Sequence, residues 1–523
     1  MQRRTIIGLV GLVLSAACGQ ASESASGAND QAPTPAPSPG SDAGAGARPL
    51  DDAGLPPEKE VESVYEAPVA TGNFVWVANP KSGRVAYINA RTLEVKTVDA
   101  GNGPTYMAAI PGQASDATAV LNVLSNDATV LRATGAGIEV KTFKTARGAN
   151  SWAFSSDGRY AIAWADARRA PSAPKTEGFQ DLTVIDLAGQ TPPTVLAVGY
   201  RPVLVGFGRG AAVAHAVTQD GVAIVDLASN PPRLARNVAI SANPTEDPGT
   251  RDVAVTPDGK TALVRRDGSA VVTAVNLETG QRTDLTLNGP VTDLDLSEAG
   301  DRAVAVVRAT QTVSLLPIPQ VLGSPTAIKN VTVTGETIGS VVLSSDGNTA
   351  MLYTNASQTE RITVMNLAAT PDPTYRVVRL YSPVLAAFAS PDARHATILH
   401  DIKTVDGAFS LVPLSVDLPA KIVAMKAKPT QVVMTADYAV VGERGDAQRI
   451  YGAYLAKLPS FMVERYALAS PPISVGVIPA AKRAFVAQEH PEGRITFLDL
   501  DTGLARTLTG FELASRVVDG SKP

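Results

Sequence analysis

The sequence predicts an all-β protein, a β-propeller built from four-stranded blades, and three observations lead to this prediction. Short runs rich in β-branched residues alternate with turn residues, and no long amphipathic helix interrupts them. An apolar phrase that ends in Asp or Asn returns along the chain, mostly at intervals in the forties or twice that. A Ser/Thr-x-Asp-Gly turn between two strands returns with it. A period in the forties with about four strands per unit is typical of propeller blades.

The first phrase is a strand of alternating apolar and β-branched residues that closes on an acidic or amide side chain. Its copies end at Asn89, Asp186, Asp226, Asn276, Asn366 and Asp499. The separation is 40 residues from Asp186 to Asp226 and 50 from Asp226 to Asn276. The separation of 90 from Asn276 to Asn366 equals two units of 45. These spacings predict one blade per unit along the chain.

The second phrase is a tight turn between two strands. Its copies centre on Asp157-Gly158, Asp258-Gly259, Asp346-Gly347 and the altered Asp392-Ala393. Asp-Gly suits a hairpin because glycine accepts the positive φ that such a turn requires. We therefore interpret these recurrent aspartates as turn residues, whose side chains bond the backbone, and not as catalytic acids.

Together the phrases resemble the blades of YVTN-type, WD40-like β-propellers of bacteria and archaea. Those blades contain Ser-Pro-Asp-Gly between the first strands, a strand ending in Ile-Asp, and then Thr-Gly. Asn276-Leu-Glu-Thr-Gly280 and Asp499-Leu-Asp-Thr-Gly503 match the later part, and Ser82-Gly83 matches the middle. The resemblance extends from about Gly72 to the C-terminus. It implies a fold and no particular function, because propellers host unrelated activities.

About ten units can be counted. Their inner strands are expected to begin near Tyr106, Ser151, Val203, Asp252, Val291, Ile338, Val384, Gln431 and Ile473. The remaining unit is split, because Phe74 to Asp99 supplies three strands and Glu512 to Val518 supplies one. Pairing of the N- and C-terminal strands, with Arg516 to Val518 beside Phe74 to Ala78, would close the ring and remove its sheet edges. Two smaller propellers are the alternative, since eight blades is the ordinary upper size of one ring.

Residues 1–17 have the pattern of an export signal. Two arginines are followed by an apolar run from Ile6 to Leu14 and then by Ser15-Ala-Ala-Cys18. This end resembles the lipobox of bacterial lipoproteins, which implies a diacylglycerol on the Cys18 thiol and a mature chain that begins there. Gly19 in place of Asp implies sorting to the outer membrane. The alternatives are an ordinary signal peptide and, since Arg3 and Arg4 are adjacent, export by the twin-arginine route.

Residues 18–68 are predicted to be a disordered tether, and residues 69–523 the propeller domain. The tether consists mainly of Ala, Ser, Gly, Pro and Asp. It has too few large apolar residues to offset the entropy of the chain. Its prolines favour extended segments that would lift the folded domain from a membrane.

Composition excludes several classes of site. Cys18 is the only cysteine, so disulfides, thiolate metal sites, a cysteine nucleophile and covalently attached haem are excluded. No cofactor is predicted. The formal net charge is -4 and no basic block occurs, which argues against nucleic acid as a partner. No apolar run after residue 14 is long enough to span a bilayer.

The sequence offers two candidate binding regions. The first is a long, basic, proline-rich loop from Ala167 to Phe179, with Arg168, Arg169, Lys175 and Phe179 as its candidate contact residues. The second is the pair Asp293 and Asp295, which alternate on one predicted inner strand, where they could line the central channel and draw a cation. A solvated channel wall is the simpler interpretation of that pair.

No metal, nucleophile or acid/base set is evident. His395 and His400 are five residues apart, an odd separation that places them on opposite faces of a strand. We therefore expect a non-enzymatic binding or scaffold module, anchored in the bacterial envelope by its N-terminal lipid, for an unknown protein or glycan partner. The alternative is a lactonase-like hydrolase, which would need acidic, Asn and His side chains from several inner strands to meet at the propeller axis.

Overall fold

The computed structural model describes residues 66–166, 169, 180–210, 212–243, 246, 250–402 and 406–511. In these residues forty strands form ten antiparallel sheets of four, and each sheet uses its strands in chain order. This confirms the predicted all-β propeller of four-stranded blades.

The first five blades contain the following strands: β1 (Val69–Ala70), β2 (Phe74–Asn79), β3 (Arg84–Asn89), β4 (Val95–Asp99); β5 (Pro104–Ala109), β6 (Ala117–Asn122), β7 (Asp127–Thr134), β8 (Gly137–Lys144); β9 (Ser151–Phe154), β10 (Tyr160–Trp164), β11 (Asp181–Asp186), β12 (Thr194–Ala197); β13 (Leu204–Phe207), β14 (Val213–Val217), β15 (Val222–Asp226), β16 (Arg233–Val238); β17 (Arg251–Val255), β18 (Thr261–Arg266), β19 (Val271–Asn276), β20 (Arg282–Thr286).

The last five blades contain β21 (Asp293–Leu296), β22 (Arg302–Val307), β23 (Thr312–Pro317), β24 (Lys329–Thr332); β25 (Ser340–Leu343), β26 (Thr349–Tyr353), β27 (Arg361–Asn366), β28 (Thr374–Arg379); β29 (Val384–Ala389), β30 (His395–His400), β31 (Gly407–Pro413), β32 (Lys421–Met425); β33 (Lys428–Met434), β34 (Tyr438–Gly445), β35 (Ile450–Lys457), β36 (Met462–Ala467); β37 (Pro472–Ile478), β38 (Arg483–Gln488), β39 (Arg494–Asp499), β40 (Ala505–Thr509). The described helical segments include the α-helix α1 (Gln320–Gly323) and 3₁₀ turns at Arg308–Thr310, Pro325–Ala327 and Pro479–Ala481.

The ring has two faces, which the strand order defines. First strands of neighbouring blades contact one another, as β21 and β25 do, so the first strands surround the axis. We call the face on which the first strands begin the upper face. It carries the connections between second and third strands and the connectors between blades. The lower face carries the connections between first and second strands and between third and fourth strands.

The second and third strands form the core of each blade. Every residue of β6, β10 and β31 is buried, because both faces of these strands pack against neighbouring blades. Outer strands such as β8 alternate between exposed and partly buried residues. Alanine recurs in the second strands, as at Ala303 and Ala305 of β22. Blades converge toward the axis, so small side chains there let neighbouring sheets approach closely.

The turns between first and second strands have the predicted chemistry. The Ser155 hydroxyl donates to Asp157 Oδ1 at 2.6 Å, and Asp157 Oδ1 accepts the Arg159 N–H at 3.0 Å. Gly158 has φ of 66°, and Ala393 takes the same left-handed region with φ of 60°. The recurrent aspartates are thus turn residues in the structure.

Ten apolar clusters hold the ring together, and each cluster joins two consecutive blades. The closing cluster joins the last blade to the first. In it Phe485, Phe497 and Phe511 pack with Val75 and Ile88. The described residues therefore form one ring of ten blades, which rules out the alternative of two smaller propellers.

The expected closure by a C-terminal strand needs correction. Val69 and Ala70 pair with Trp76 and Val75, so β1 fills the inner position of the first blade. The Glu66 N–H donates to Ala78 O at 3.0 Å and extends this pairing. The segment 512–518, expected at that position, lies outside the described residues. Side-chain packing between complete blades closes the ring, and no shared sheet is needed.

Candidate functional site

The candidate binding loop is the connection between β10 and β11 on the upper face of blade 3. It has sixteen residues (165–180), whereas the equivalent connections of the other blades have four to seven. Of the predicted contact residues, Arg169 is described, and Arg168, Lys175 and Phe179 lie outside the described residues. The strand bounds therefore place both ends of the predicted loop on the upper face.

The start of this loop is tied to the connector that leads into β9. Asn150 Nδ2 donates to Asp166 O at 3.0 Å, and the Asp166 N–H donates to Asn150 Oδ1 at 2.7 Å. Both residues are buried. The Arg169 N–H donates to Asp166 O at 3.1 Å, and its Nη1 donates to Asn150 O at 3.5 Å. This reciprocal pair fixes where the loop leaves the blade, and it holds Arg169 at the base of the loop.

An aromatic cluster lies on the inner strands of blades 2 and 3. The rings of Trp152 and Phe154 stack with centroids 5.4 Å apart, and Trp152 Nε1 donates to Tyr106 O at 3.0 Å. All three side chains are partly exposed. Trp76 and Trp164 are buried, as the expectation of core packing required. Trp152 also packs against the core cluster of blades 2 and 3, but it is only partly buried, because its strand lies at the axis, where no further strand covers it.

The candidate channel residues Asp293 and Asp295 lie on the inner strand β21, where they were predicted. Their carboxylates reach the neighbouring inner strand, β25. Asp293 Oδ2 accepts the Val341 N–H, and Asp295 Oδ2 accepts the Leu343 N–H, both at 2.8 Å. The other carboxylate oxygens accept the N–H of the following residue, at 2.9 Å for Asp293 and 2.8 Å for Asp295.

This pair therefore serves as a contact between blades. Backbone donors on the free edge of an inner strand need acceptors, and these carboxylates supply them. Every carboxylate oxygen of the pair accepts a hydrogen bond from a backbone N–H. Burial raises the pKa of Asp293 and of Asp295, the backbone hydrogen bonds oppose that rise, and the charge of Asp293 adds to it at Asp295.

The histidines that the hydrolase alternative would need lie in different blades or at opposite ends of one strand. His395 and His400 begin and end β30, as predicted. His400 Nε2 lies 2.7 Å from Ser410 Oγ, and Nδ1 lies 3.1 Å from Pro383 O, but both His400 and Ser410 are buried. His215 is buried in blade 4, and burial lowers its pKa to about 4. In the part of the chain that the structure describes, no group of three His, Cys, Asp or Glu side chains is placed to hold a metal ion.

Sequence reasoning missed a buried ionic centre at the junction of blades 8 and 9. Glu443 is fully buried on β34. Its Oε1 accepts the Lys426 N–H at 2.6 Å, the Ala427 N–H at 3.1 Å and the Tyr454 hydroxyl at 3.1 Å. Its Oε2 accepts from Arg465 Nε at 2.8 Å. Burial, and then the Glu443 charge, raise the pKa of Tyr454 to about 12.

The only advance signal for this centre was Glu443 itself, a carboxylate that directly follows the apolar run 438–442 of β34. Its partners come from a connector, from β35 and from β36, so no spacing rule relates them. The centre secures the connector between two blades. Its carboxylate is closed to solvent, whereas Arg465 keeps part of its side chain exposed.

Among the described residues no helix is both long enough and apolar enough to cross a lipid bilayer.

The comparisons with known proteins support the fold. No model of a protein family matches this chain, and no curated protein matches it. Among solved structures, it is similar to a eukaryotic initiation factor at 12% identity and a TM-score of 0.50, over 78% of this chain and 96% of that one. At this identity the likeness shows the propeller fold alone.

Two further similar structures have lower TM-scores. Hydrazine synthase of Kuenenia stuttgartiensis is 21% identical with a TM-score of 0.33, over 60% of this chain and 99% of that one. Dihydro-heme d1 dehydrogenase NirN in complex with DHE is 13% identical with a TM-score of 0.41, over 72% of this chain and 77% of that one. Membership of the YVTN-type family stays a prediction from the sequence.

Proposed function

We propose that this protein is a non-enzymatic binding or scaffold module, anchored in the bacterial cell envelope by a lipid on Cys18. The observation that carries the proposal is the sixteen-residue connection 165–180 on the upper face of an otherwise regular ring. An enlarged loop on a rigid repeat scaffold commonly marks a binding face, because the scaffold holds the loop while its sequence varies freely.

The loop has the properties of a recognition segment for a protein or a glycan. Its sequence carries Arg168, Arg169 and Lys175 beside the aromatic Phe179. Arginine and aromatic side chains are the groups that contribute most at interfaces. Asn150 and Asp166 tie its base to the blade, which lowers the entropy lost when a partner binds.

The site of attachment of the tether supports a role at a membrane. The chain joins the ring on the upper face, where Glu66 pairs with Ala78. Between Cys18 and Glu66 lie 47 residues. A flexible coil of that length has a root-mean-square span of about 40 Å, and its prolines would extend it further. A lipid on Cys18 would thus hold the ring near the membrane and leave it room to meet a partner.

The test replaces residues 167–179 by a short Gly-Ser turn and measures capture of partners by crosslinking in intact cells. We expect loss of the crosslinked species, since the proposed contact residues are gone. The matched control replaces the four-residue upper-face hairpin 267–270 with Gly-Ser residues of equal number, which should leave capture intact. Equal capture by both variants would show that the loop is not the binding site.

The anchor is tested separately with a fatty-acid probe. Labelling should occur in the parent and be absent in Cys18→Ala. Labelling that persists in this variant would disprove the lipoprotein assignment while leaving the binding role of the loop open. The competing hydrolase would instead show turnover of lactone or ester substrates that is indifferent to the loop replacement.

A further inference from the structure

Four exposed apolar side chains lie together on one sector of the lower face. They are Val416 and Leu418 in blade 8, Met462 in blade 9 and Leu504 in blade 10, with 49%, 56%, 60% and 63% of their surface exposed. All lie in the connection between third and fourth strands or directly after it. In the described residues, the same connections of the other seven blades expose no large apolar side chain. We call these four residues the lower-rim patch.

Neighbouring blades are in contact on both sides of Met462. The Phe461 ring, next to Met462, packs edge-on against the His395 ring of blade 8 with centroids 5.8 Å apart. On the other side, a Cβ placed on Gly503 would lie 3.0 Å from Glu464 Oε2 of blade 9. The connection of blade 9 thus contacts the second strand of blade 8, and the connection of blade 10 lies against the fourth strand of blade 9.

The lower ends of blades 8, 9 and 10 are large enough for a protein interface. Sheets pack about 10 Å apart, and four strands span about 19 Å at their usual spacing. The lower ends of three blades thus cover on the order of 600 Å², which approaches the roughly 800 Å² that each partner contributes to a stable complex. The lower-rim patch is the outer, apolar part of this area, and clustered apolar side chains on a folded surface mark an interaction site.

An exposed charge at each end of the patch suits a second copy of this chain as the occupant. Asp417, 87% exposed although paired with Arg376 at 3.3 Å, lies at the blade 8 end. Arg506 is exposed at the blade 10 end. A twofold axis near Met462 would place Asp417 of one copy opposite Arg506 of the other, and Leu504 over the blade 8 side chains. A twofold interface is self-complementary in this way.

We propose that the lower-rim patch is the interface through which two copies of this chain form a symmetric dimer. This proposal is independent of the loop and of the anchor. In a dimer joined by lower faces, both upper faces and both tethers remain free.

The first test is sedimentation velocity on the exported mature chain carrying Cys18→Ala, over a concentration series. The parent should show a concentration-dependent dimer. Met462→Lys and Leu504→Lys should each raise the dissociation constant on the order of tenfold or more, since a charge would enter an apolar contact. The control Leu124→Lys alters an upper-face side chain that is 67% exposed, and it should leave association unchanged. Circular dichroism confirms that each variant is folded.

The second test exchanges the two charges, and restored association in the double variant could not result from a general loss of stability. Asp417→Arg and Arg506→Asp should each weaken the dimer, and the double variant should restore it. A parent that is monomeric at every concentration, or a double variant weaker than both singles, overturns the proposal. It is overturned equally if the parent, without association, binds phosphatidylglycerol vesicles and Met462→Lys does not, because the patch would then be a lipid contact.

Discussion

Removal of the buried Glu443 carboxylate is expected to open the junction between blades 8 and 9. Glu443→Ala deletes the acceptor of the Lys426 and Ala427 backbone N–H groups and the ion-pair partner of Arg465. The connector between the blades would then lose its main fixed contact, and a guanidinium would remain beside an empty space.

The magnitude follows from burial. Breaking a buried ion pair by removing one partner costs about 3–5 kcal/mol, and a buried N–H left without an acceptor costs about 1–3 kcal/mol. Arg465 keeps 22% of its side chain exposed, so water can recover part of its solvation. We expect about 4 kcal/mol for Glu443→Ala. Glu443→Gln keeps an acceptor for the two N–H groups and should cost about half as much.

The assay is native-state hydrogen exchange of the peptide that contains Lys426 and Ala427, because a ring of ten blades need not unfold in one step. A local loss of about 4 kcal/mol corresponds to exchange roughly 900-fold faster. The control is Glu278→Ala, which removes an exposed ion pair with Lys260 and should change little. Equal exchange in the Glu443 and Glu278 variants would refute the reasoning.

Three further outcomes are expected. Phe485→Ala should lower the free energy of unfolding by about 3–5 kcal/mol and speed proteolysis of the first and last blades, because Phe485 packs in the closing cluster. The control Phe409→Ala, at the junction of blades 8 and 9, should cost as much stability but leave the first and last blades protected from proteolysis. The raised pKa of Asp295 means that its contribution to stability is present at low pH and is lost as pH rises above about 4 and through the folded pKa. Asp295→Asn should therefore gain stability relative to the parent as pH rises above about 4 in urea titrations, and a constant difference would contradict this. The pKa of His215 is lowered from 6.5 to about 4 in the folded protein, so it contributes about 3 kcal/mol of stability above pH 6.5, and this is lost as pH falls toward 4. His215→Gln should lack this loss when the free energy of unfolding is measured against pH.

Much of the fold could be predicted from the sequence, because each blade consists of strands that are consecutive in the chain. Strands follow one another through short hairpins, so the Asp-Gly turns and the apolar phrases mark each unit without knowledge of its neighbours. The predicted inner strands near Ser151 and Val384 begin at those residues in the structure. The first strand of blade 1 was not predicted, because β1 has only two residues, Val69 and Ala70, which are too few to form a pattern.

The candidate sites were harder to predict than the strands, because the residues that they contact are distant in sequence. Asp293 and Asp295 were found as an alternating pair, yet their acceptor role depends on Val341 and Leu343, 48 residues away. The length of the connection 165–180 was visible in the sequence, while the face on which it lies required the strand order.

The repeat, the four-stranded unit and the positions of the turns could be predicted from the amino-acid sequence, since these depend on residues within one period. Tertiary structure decided how many units form one ring, how that ring closes and which polar side chains are buried. These depend on contacts between blades, where Phe485 packs with Val75 and Asp295 accepts from Leu343, and such contacts arise only after separate sheets have packed. Local chemistry specifies a blade, and the packing of one blade on the next specifies the ring.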